Sequence, residues 1–386
     1  MNDITKNTID LIGFDKIDIT KKLKIKTGFD PTSKDIHLGH TILLNKLKNF
    51  QELGHEVIIV IGDFTAMIGD PTGKNITRKQ LTKEEVLENS ETYQKQIFKI
   101  LDKDKTTIVY NSDWLGKLSS IDMINLCSKY SLARMLERND FSNRYKNNEH
   151  IAIHEFIYPL LQGYDSVFLK SDIEIGGTDQ LFNLMVGRHL QELYGQRPQA
   201  IMTLPILEGL YGVLKMSKSL NNYIGVDEEP NNIFGKVMSI SDKLMIKYYD
   251  LLDVRNPHTI KNEILNGTNP KGLKLDLAYS LVQRFYNKDI ADECLIYFEN
   301  RFKNHINPDN IEVLVIKSNI SIKLPNLLKE ANLVKSTSDA IRLIRAGAVK
   351  INNKKVIEPN TYIDINTNNL YSVGKLKIVK INVVDN

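Results

Sequence analysis

Apolar and polar positions along the first two-thirds of the chain follow two alternating periods. Leu23-Lys24-Ile25-Lys26-Thr27 alternates with period two, the spacing of a strand, and Gly28-Phe29-Asp30-Pro31 breaks it. From about His37 to Leu53 the apolar residues Ile42, Leu43, Leu47 and Phe50 return at helical spacing. Val57-Ile58-Ile59-Val60-Ile61 is apolar on both faces, as a central strand covered by helices must be. Strand, helix and strand are therefore complete by residue 61. A polar loop follows, then a helical pattern from Lys83 to Leu101, a strand from Thr106 to Tyr110, and a short strand at Ile173-Glu174-Ile175 that opens into a helix near Thr178. This order predicts an α/β fold on a parallel sheet.

Between about Asn231 and Asn304 the strand pattern fades and helical patterns dominate, as in Asp242 to Leu252 and Gly272 to Tyr286. From about Lys323 the pattern is mixed again. Leu324-Pro325-Asn326-Leu327-Leu328 opens a short helix, and Ser336-Thr337-Ser338-Asp339 caps a second one through Ala340, Leu343 and Ile344 that Gly347 stops. Val349-Lys350-Ile351-Asn352-Asn353-Lys354-Lys355-Val356 then reads as strand, turn and strand. A length of 386 residues exceeds what one core usually organises, and the pattern divides it into domains at 1–230, 231–320 and 321–386.

Charge sharpens this division. The whole chain carries only +4, too little to indicate a nucleic-acid partner. Residues 321–386 hold eleven Lys and Arg against five Asp and Glu, a net of +6, which leaves −2 for the first 320 residues. Two cysteines, Cys127 and Cys294, provide neither a disulfide framework nor a zinc-site spacing, so no protein-bound metal is expected. The start lacks a basic region followed by an apolar run, and no stretch reaches the length of a membrane span. A cytoplasmic protein with no membrane partner is expected.

Three constellations carry chemistry. His37-Leu38-Gly39-His40 opens a helix directly after a strand and loop, so both imidazoles project beside the unpaired N–H groups of a helix start, a phosphate-binding arrangement. Lys215-Met216-Ser217-Lys218-Ser219 lies in a polar loop, where two ammonium groups flanked by hydroxyls suit a clamp on a pyrophosphate. Tyr158, Gln162 and Asp165 fall at i, i+4 and i+7, a polar line on one helix face among Phe156, Ile157, Leu160, Leu161 and Tyr164.

His-x-Gly-His followed far downstream by Lys-Met-Ser-Lys-Ser resembles the class I aminoacyl-tRNA synthetases, which implies a Rossmann-like catalytic domain. The polar line, read with Ile175-Gly176-Gly177-Thr178-Asp179-Gln180 and Gly62-Asp63-Phe64-Thr65-Ala66-Met67-Ile68-Gly69-Asp70-Pro71, resembles the tyrosyl-tRNA synthetases of that family. The resemblance implies catalytic roles for His37, His40, Lys215 and Lys218. It places Asp30, Thr32, Gly39, Gly177, Asp179, Ser217 and Ser219 around ATP and the adenylate. Asp70, Tyr158, Gln162 and Gln180 would hold the amino acid, and Asp165 would accept the phenol hydroxyl. ATP is then a substrate, with Mg²⁺ bound through its phosphates, and L-tyrosine and tRNA(Tyr) are partners of a homodimer.

The tail resembles the S4 RNA-binding domain on its two helices, glycine and Val-x-Ile-Asn-Asn-x-x-Val hairpin, with Arg342, Arg345, Lys354 and Lys355 as RNA contacts. A weaker basic patch, Arg134, Arg138, Arg144 and Lys146, suits either the acceptor arm of tRNA or a subunit surface. Trp114 reads as a packing residue, and Asp63 as a further pocket acid. Many family members carry tyrosine where this chain has Lys26, so Lys26 either meets the phenol or faces outward. Leu181-Phe182 also stands where Trp-Gly is common. A tryptophanyl enzyme, a small nucleotidyltransferase and a silent RNA-binding paralogue remain as alternatives.

Overall fold

The computed structural model describes residues 2–72, 81–303, 313–352, 354–374 and 377–385. The chain divides into two compact units, Met1–Phe298 and Glu299–Asn386. The first is built on six strands: β1 (Leu11–Ile12), β2 (Lys24–Phe29), β3 (Glu56–Ile61), β4 (Thr106–Tyr110), β5 (Ile173–Gly177) and β6 (Ala200–Leu204), in the order β1-β6-β5-β2-β3-β4. Every neighbouring pair is parallel except β1 with β6, so the expected α/β class is what forms. The chain adds β3 and β4 on one side of β2 and then places β5 on the other. Reversal of strand order leaves a crevice beyond the strand ends.

The crevice opens early. The ladder between β2 and β5 holds only Ile25 with Ile173 and Lys26 with Glu174. By contrast β2 stays paired with β3 as far as Phe29 and Ile61, and β5 with β6 as far as Gly177 and Leu204. Gly28 and Phe29, expected to break the strand, continue it because β3 provides their partners. Strands β1 and β6 carry no alternating signature in the sequence. All five residues of β6 are buried, and a fully buried strand alternates nothing.

The helix Leu38–Glu52 buries Leu38, Ile42, Leu44, Leu47 and Phe50 against this sheet. The expected helical segment comprises Pro230–Ser239, Asp242–Leu251, Pro257–Leu265, Pro270–Phe285 and Lys288–Lys303. Three of these helices begin with proline, whose missing N–H costs nothing in a first turn, and Asn256 and Asn269 cap two of them. Sheet residues Ile25, Ile59 and Met202 share one continuous core with Val237, Tyr248, Leu277 and Leu281 of these helices. The helices Ile153–Leu169 and Leu181–Leu193 cover the other face through Leu160, Leu161, Val186 and Leu190.

The second unit holds β7 (Val313–Lys317), β8 (Ile322–Lys323), β9 (Val349–Ile351), β10 (Lys354–Val356), β11 (Tyr362–Ile363), β12 (Thr367–Val373) and β13 (Lys377–Val384). Its main sheet runs β10-β9-β12-β13-β7. The expected helices form at Leu324–Glu330 and Thr337–Arg345. Ser336 caps the second from Oγ to the Asp339 N–H at 3.1 Å, and Gly347, at a φ of 65°, ends it. Strands β9 and β10 make the expected hairpin, of which Asn353 lies outside the described residues. Strand β7 pairs with β13, so this sheet draws on residues before 321.

Of the basic patch expected at Arg134, Arg138, Arg144 and Lys146, Arg134 and Lys146 are exposed, but Arg138 and Arg144 are buried and are not available to a surface. Arg144 forks onto Glu155 at 2.6 and 3.0 Å with both side chains 2% exposed, and Arg138 grips Asp140 at 2.6 and 2.8 Å while lying over the Phe141 ring. Both arginines serve the packing of the helix Asn139–Lys146. Glu155→Gln is therefore expected to cost about 3–5 kcal/mol by leaving Arg144 charged and buried. Arg144→Met with Glu155→Leu should recover most of that loss in urea unfolding; additive losses from the two changes would contradict the pairing.

Candidate active site

A cavity of about 500 Å³ occupies the crevice where β2 and β5 separate. Its wall includes all sixteen residues that the sequence singles out for the nucleotide and the amino acid: Asp30, Thr32, His37, Gly39, His40, Asp70, Tyr158, Gln162, Asp165, Gly177, Asp179, Gln180, Lys215, Ser217, Lys218 and Ser219. They come from the ends of β2 and β5, three helices and one loop. A volume of this size suits a small ligand held by a few polar groups.

His37 is the cap of the helix Leu38–Glu52. Its Nδ1 accepts the Gly39 N–H at 3.2 Å, while His40 Nδ1 accepts the His37 N–H at 3.2 Å. The rings lie 3.9 Å apart. Burial, then the neighbouring His40 and Lys218, push the His37 pKa down to about 2; burial and Lys218 take His40 to about 4. Both imidazoles are neutral at pH 7. With each Nδ1 accepting, the proton belongs on Nε2, so both rings present a donor rather than a cation. A Cβ on Gly39 would stand 2.9 Å from the His37 ring, so the glycine admits the neighbouring imidazole itself.

The lysine loop is tied to this corner from behind. Residues 224–226 run beside His37, with the Leu38 N–H donating to the Ile224 carbonyl and the Val226 N–H to that of Ile36, both at 2.9 Å. Asn222, buried, bridges the loop by accepting the Ser217 N–H at 2.8 Å and donating to the Lys215 carbonyl at 3.1 Å. Met216 is buried, so the residues on either side of it face outward toward the cavity. Lys215 Nζ lies 3.1 Å from Asp179, and Lys218 Nζ lies 2.9 Å from Ser33 Oγ and 3.3 Å from Asp35. Burial lowers the pKa of Lys218, and Asp35 opposes that shift.

The opposite end of the cavity is a hydrogen-bonded mesh. Gln180 donates to Asp70 at 2.9 Å, and Asn183 donates to Gln162 at 2.9 Å and to Gln180 at 3.2 Å. Tyr158 donates its hydroxyl to Asp30 at 2.7 Å, so its oxygen faces the cavity as an acceptor. Deeper in, Asp165 is 3% exposed and accepts Trp114 Nε1–H at 2.9 Å and Asn111 Nδ2–H at 3.3 Å. Burial raises its pKa to about 7, against the pull of Lys26 and these donors.

Trp114 is thus a donor to Asp165 as well as a packing residue. Asn111 and Asn183 went unmarked in the sequence because an isolated asparagine carries no spacing signal. Lys26, expected at the phenol or outward, does neither: it is fully buried against Glu174. Asp63 is absent from the cavity wall and instead anchors a turn, taking the Ser112 N–H at 2.9 Å and its O–H at 2.6 Å. In the second unit Arg342, Arg345, Lys354 and Lys355 are all exposed, with Arg342 bonded to Asp339 at 2.6 Å.

Comparison with known proteins bears on this geometry. The family model for class I tRNA synthetases (W and Y) matches residues 18–303, and the S4 domain model matches residues 322–366. A tyrosine–tRNA ligase of Colwellia psychrerythraea is 55% identical over 372 residues, 95% of this chain and 93% of its own length. One from Francisella tularensis is 54% identical over 95% of this chain and 93% of its own. In fold, the chain is similar to a tyrosyl-tRNA synthetase of Archaeoglobus fulgidus solved with L-tyrosine, with a TM-score of 0.62 at 24% identity over 76% of this chain and 97% of that one. The match over residues 18–303, with relatives above half identity along nearly the whole length, makes this chain a member of the class I tRNA synthetases, in the group that serves tryptophan and tyrosine.

Proposed function

We propose that the protein is a tyrosine–tRNA ligase, which joins L-tyrosine to ATP as tyrosyl-adenylate with release of pyrophosphate and then passes the tyrosyl group to the terminal ribose of tRNA(Tyr). The observation that carries this reading is a pair of acceptors in the part of the cavity away from the histidines: the Asp70 mesh for an ammonium and, deeper in, the buried Asp165 for a hydroxyl. The relatives from Colwellia psychrerythraea and Francisella tularensis, both tyrosine ligases, support the same substrate.

In the first step the tyrosine carboxylate attacks the α-phosphorus of ATP. Both reactants bring their own reactive groups, so alignment and charge stabilisation suffice. Asp70, Tyr158, Gln162 and Gln180 hold the ammonium, and Asp165 takes the phenol proton donor. A phenylalanine ring brings no donor to that buried carboxylate, which then keeps only those from Trp114 and Asn111; rejection of phenylalanine by this family is a standard example of such discrimination. Gly177 and Asp179 lie by the ribose, Asp30 and Thr32 by the nucleotide. His37 and His40 donate Nε2–H to the phosphates, while Lys215 and Lys218 exchange Asp179 and Asp35 for phosphate oxygens, helped by Ser217 and Ser219. Mg²⁺ arrives with ATP, held by phosphate oxygens and water.

In the second step the tail holds the RNA. Arg342, Arg345, Lys354 and Lys355 supply phosphate contacts from the +6 region, and the helices of residues 231–320 serve the anticodon side of the tRNA. A homodimer is supported by apolar side chains exposed on the helices around Trp114: Ile121, Ile124, Leu132, Phe168, Leu193 and Tyr194 are 38–63% exposed. No helix among the described residues is long and apolar enough to cross a membrane, and the tRNA partner implies the cytoplasm.

Pyrophosphate exchange into ATP, with each amino acid supplied separately, is expected with L-tyrosine; exchange with tryptophan, or with none, would refute the assignment. Lys218→Ala should slow adenylate formation by about 100-fold or more while leaving tyrosine binding nearly unchanged, and equal losses would remove its clamp role. Removing residues 304–386 should spare exchange and cripple charging of tRNA; full charging by the shortened chain would cancel the role of the tail.

Asp165 also sets a pH dependence. The folded protein keeps its proton up to about pH 7 whereas the unfolded chain releases it near 3.8, so the folded state binds the extra proton between these values. The stabilisation is present below about pH 4 and is lost as pH rises to 7, with a slope of at most about 1.4 kcal/mol per unit. Asp165→Asn should abolish that slope, and parallel unfolding curves for the two proteins from pH 4 to 8 would exclude it.

A further inference from the structure

One buried charged cluster has no part in the roles above. Lys26 stands on the last rung that β2 shares with β5 and is 0% exposed. Its Nζ lies 2.8 Å from Glu174 Oε1 and donates to Ser166 Oγ at 2.8 Å. Ser166 in turn donates to Glu174 Oε2 at 2.9 Å, and Gln199, also buried, donates to the same oxygen. Ser166 directly follows Asp165 in the helix Ile153–Leu169, and Glu174 reaches the cavity wall together with Thr27.

The groups that face Asp165 come from three directions. Lys26 lies on β2 and Glu174 on β5, while Trp114 and Asn111 donate from the segment after β4. Of the two charged groups, Lys26 favours the Asp165 carboxylate and Glu174 opposes it, with Lys26 the stronger. One ammonium therefore serves two buried carboxylates. Removing it would leave two like charges enclosed together, a situation that protonation of one of them relieves.

We propose that Lys26 is a positioning residue for side-chain selection: clamped to Glu174 and Ser166 behind the cavity, it fixes the helical turn that carries Asp165 and faces it with positive charge, so that Asp165 meets the substrate ring as a carboxylate. This rests on Asp165 as the acceptor of the phenol. The same clamp explains why the ammonium does not bind the phenol itself, since its donors are directed to Glu174 and Ser166. Preference for L-tyrosine over L-phenylalanine then depends on pH through Lys26, because only the phenol exploits the charged form.

The test is the pH profile of kcat/KM for each of the two amino acids in pyrophosphate exchange, from pH 6 to 9, for the wild type, Lys26→Met, Glu174→Gln and the double variant. Lys26→Met should lose about fivefold or more for tyrosine at pH 7, and about tenfold at pH 6, the factors that follow from moving a group that titrates near 7 up by about one unit. That loss should shrink toward pH 9 while phenylalanine stays unchanged. Glu174→Gln should move the tyrosine profile the other way, and the double variant should fall between Lys26→Met and wild type. An equal loss for both amino acids at every pH would overturn the proposal, as would a wild-type profile in Lys26→Met. If Lys26→Met does not fold, the double variant, which leaves no unpaired charge, decides: a displaced tyrosine profile supports the proposal and an undisplaced one overturns it. Asp165→Asn separates the underlying reading. If it keeps the preference for tyrosine, Asp165 is not the acceptor; if it loses that preference while Lys26→Met has a wild-type profile, only the role of Lys26 falls.

Discussion

Two residue pairs join β2 to β5, and the second of them, Lys26 with Glu174, is also a buried ion pair. One residue further, the Ile175 carbonyl that a longer ladder would engage is taken by the Thr27 hydroxyl at 2.8 Å. The strands part there without leaving a buried acceptor orphaned, which would be costly. Each half of the sheet stays paired on its outer side, so the gap has rigid edges. Asp30, Thr32, Gly177 and Asp179 follow directly from those edges, and the helix Leu38–Glu52, which starts beyond the end of β2, brings His37, Gly39 and His40 to the gap.

The electrostatics of the cavity differ between its ends. At the helix start the histidines cap each other and are neutral, so positive charge there comes from the helix dipole and from two lysines parked on Asp179 and Asp35. Such parked cations can shift to phosphate as charge builds on it, without a large change in the number of ion pairs. At the other end, amides and carboxylates hold one another in a network in which Gln180 serves both Asp70 and Asn183. A network of this kind orients acceptors before any ligand arrives.

What the sequence made legible follows from spacing. The histidine pair, the lysine loop and the polar helix line each have fixed offsets, and the structure brings all three to one cavity although up to 180 residues separate His37 from Ser217. The central strands and the helical segment were legible for the same reason. Strand β6 was not, because full burial erases alternation, nor was β1, which is two residues long. Asn111, Trp114 and Asn183 act through tertiary contacts that no local pattern announces. Arg138 and Arg144 misled for the converse reason: a run of basic residues reads as surface until the partners Asp140 and Glu155 are seen.

The β-bridge between His37 and Gly225 closes the chain on itself around everything between them. In the roles proposed above, the phosphate side of the cavity is drawn mainly from the two flanks of that closure, up to about residue 40 and again from 215. The side proposed for the amino acid comes from the enclosed stretch, at Asp70, Tyr158, Gln162, Asp165 and Gln180, supported from behind by Asn111, Trp114 and Asn183. On that proposed assignment, variation in the enclosed stretch would change which side chain is accepted while leaving the ATP frame as it is. A family whose model spans both tryptophan and tyrosine is what such a division of the chain would produce.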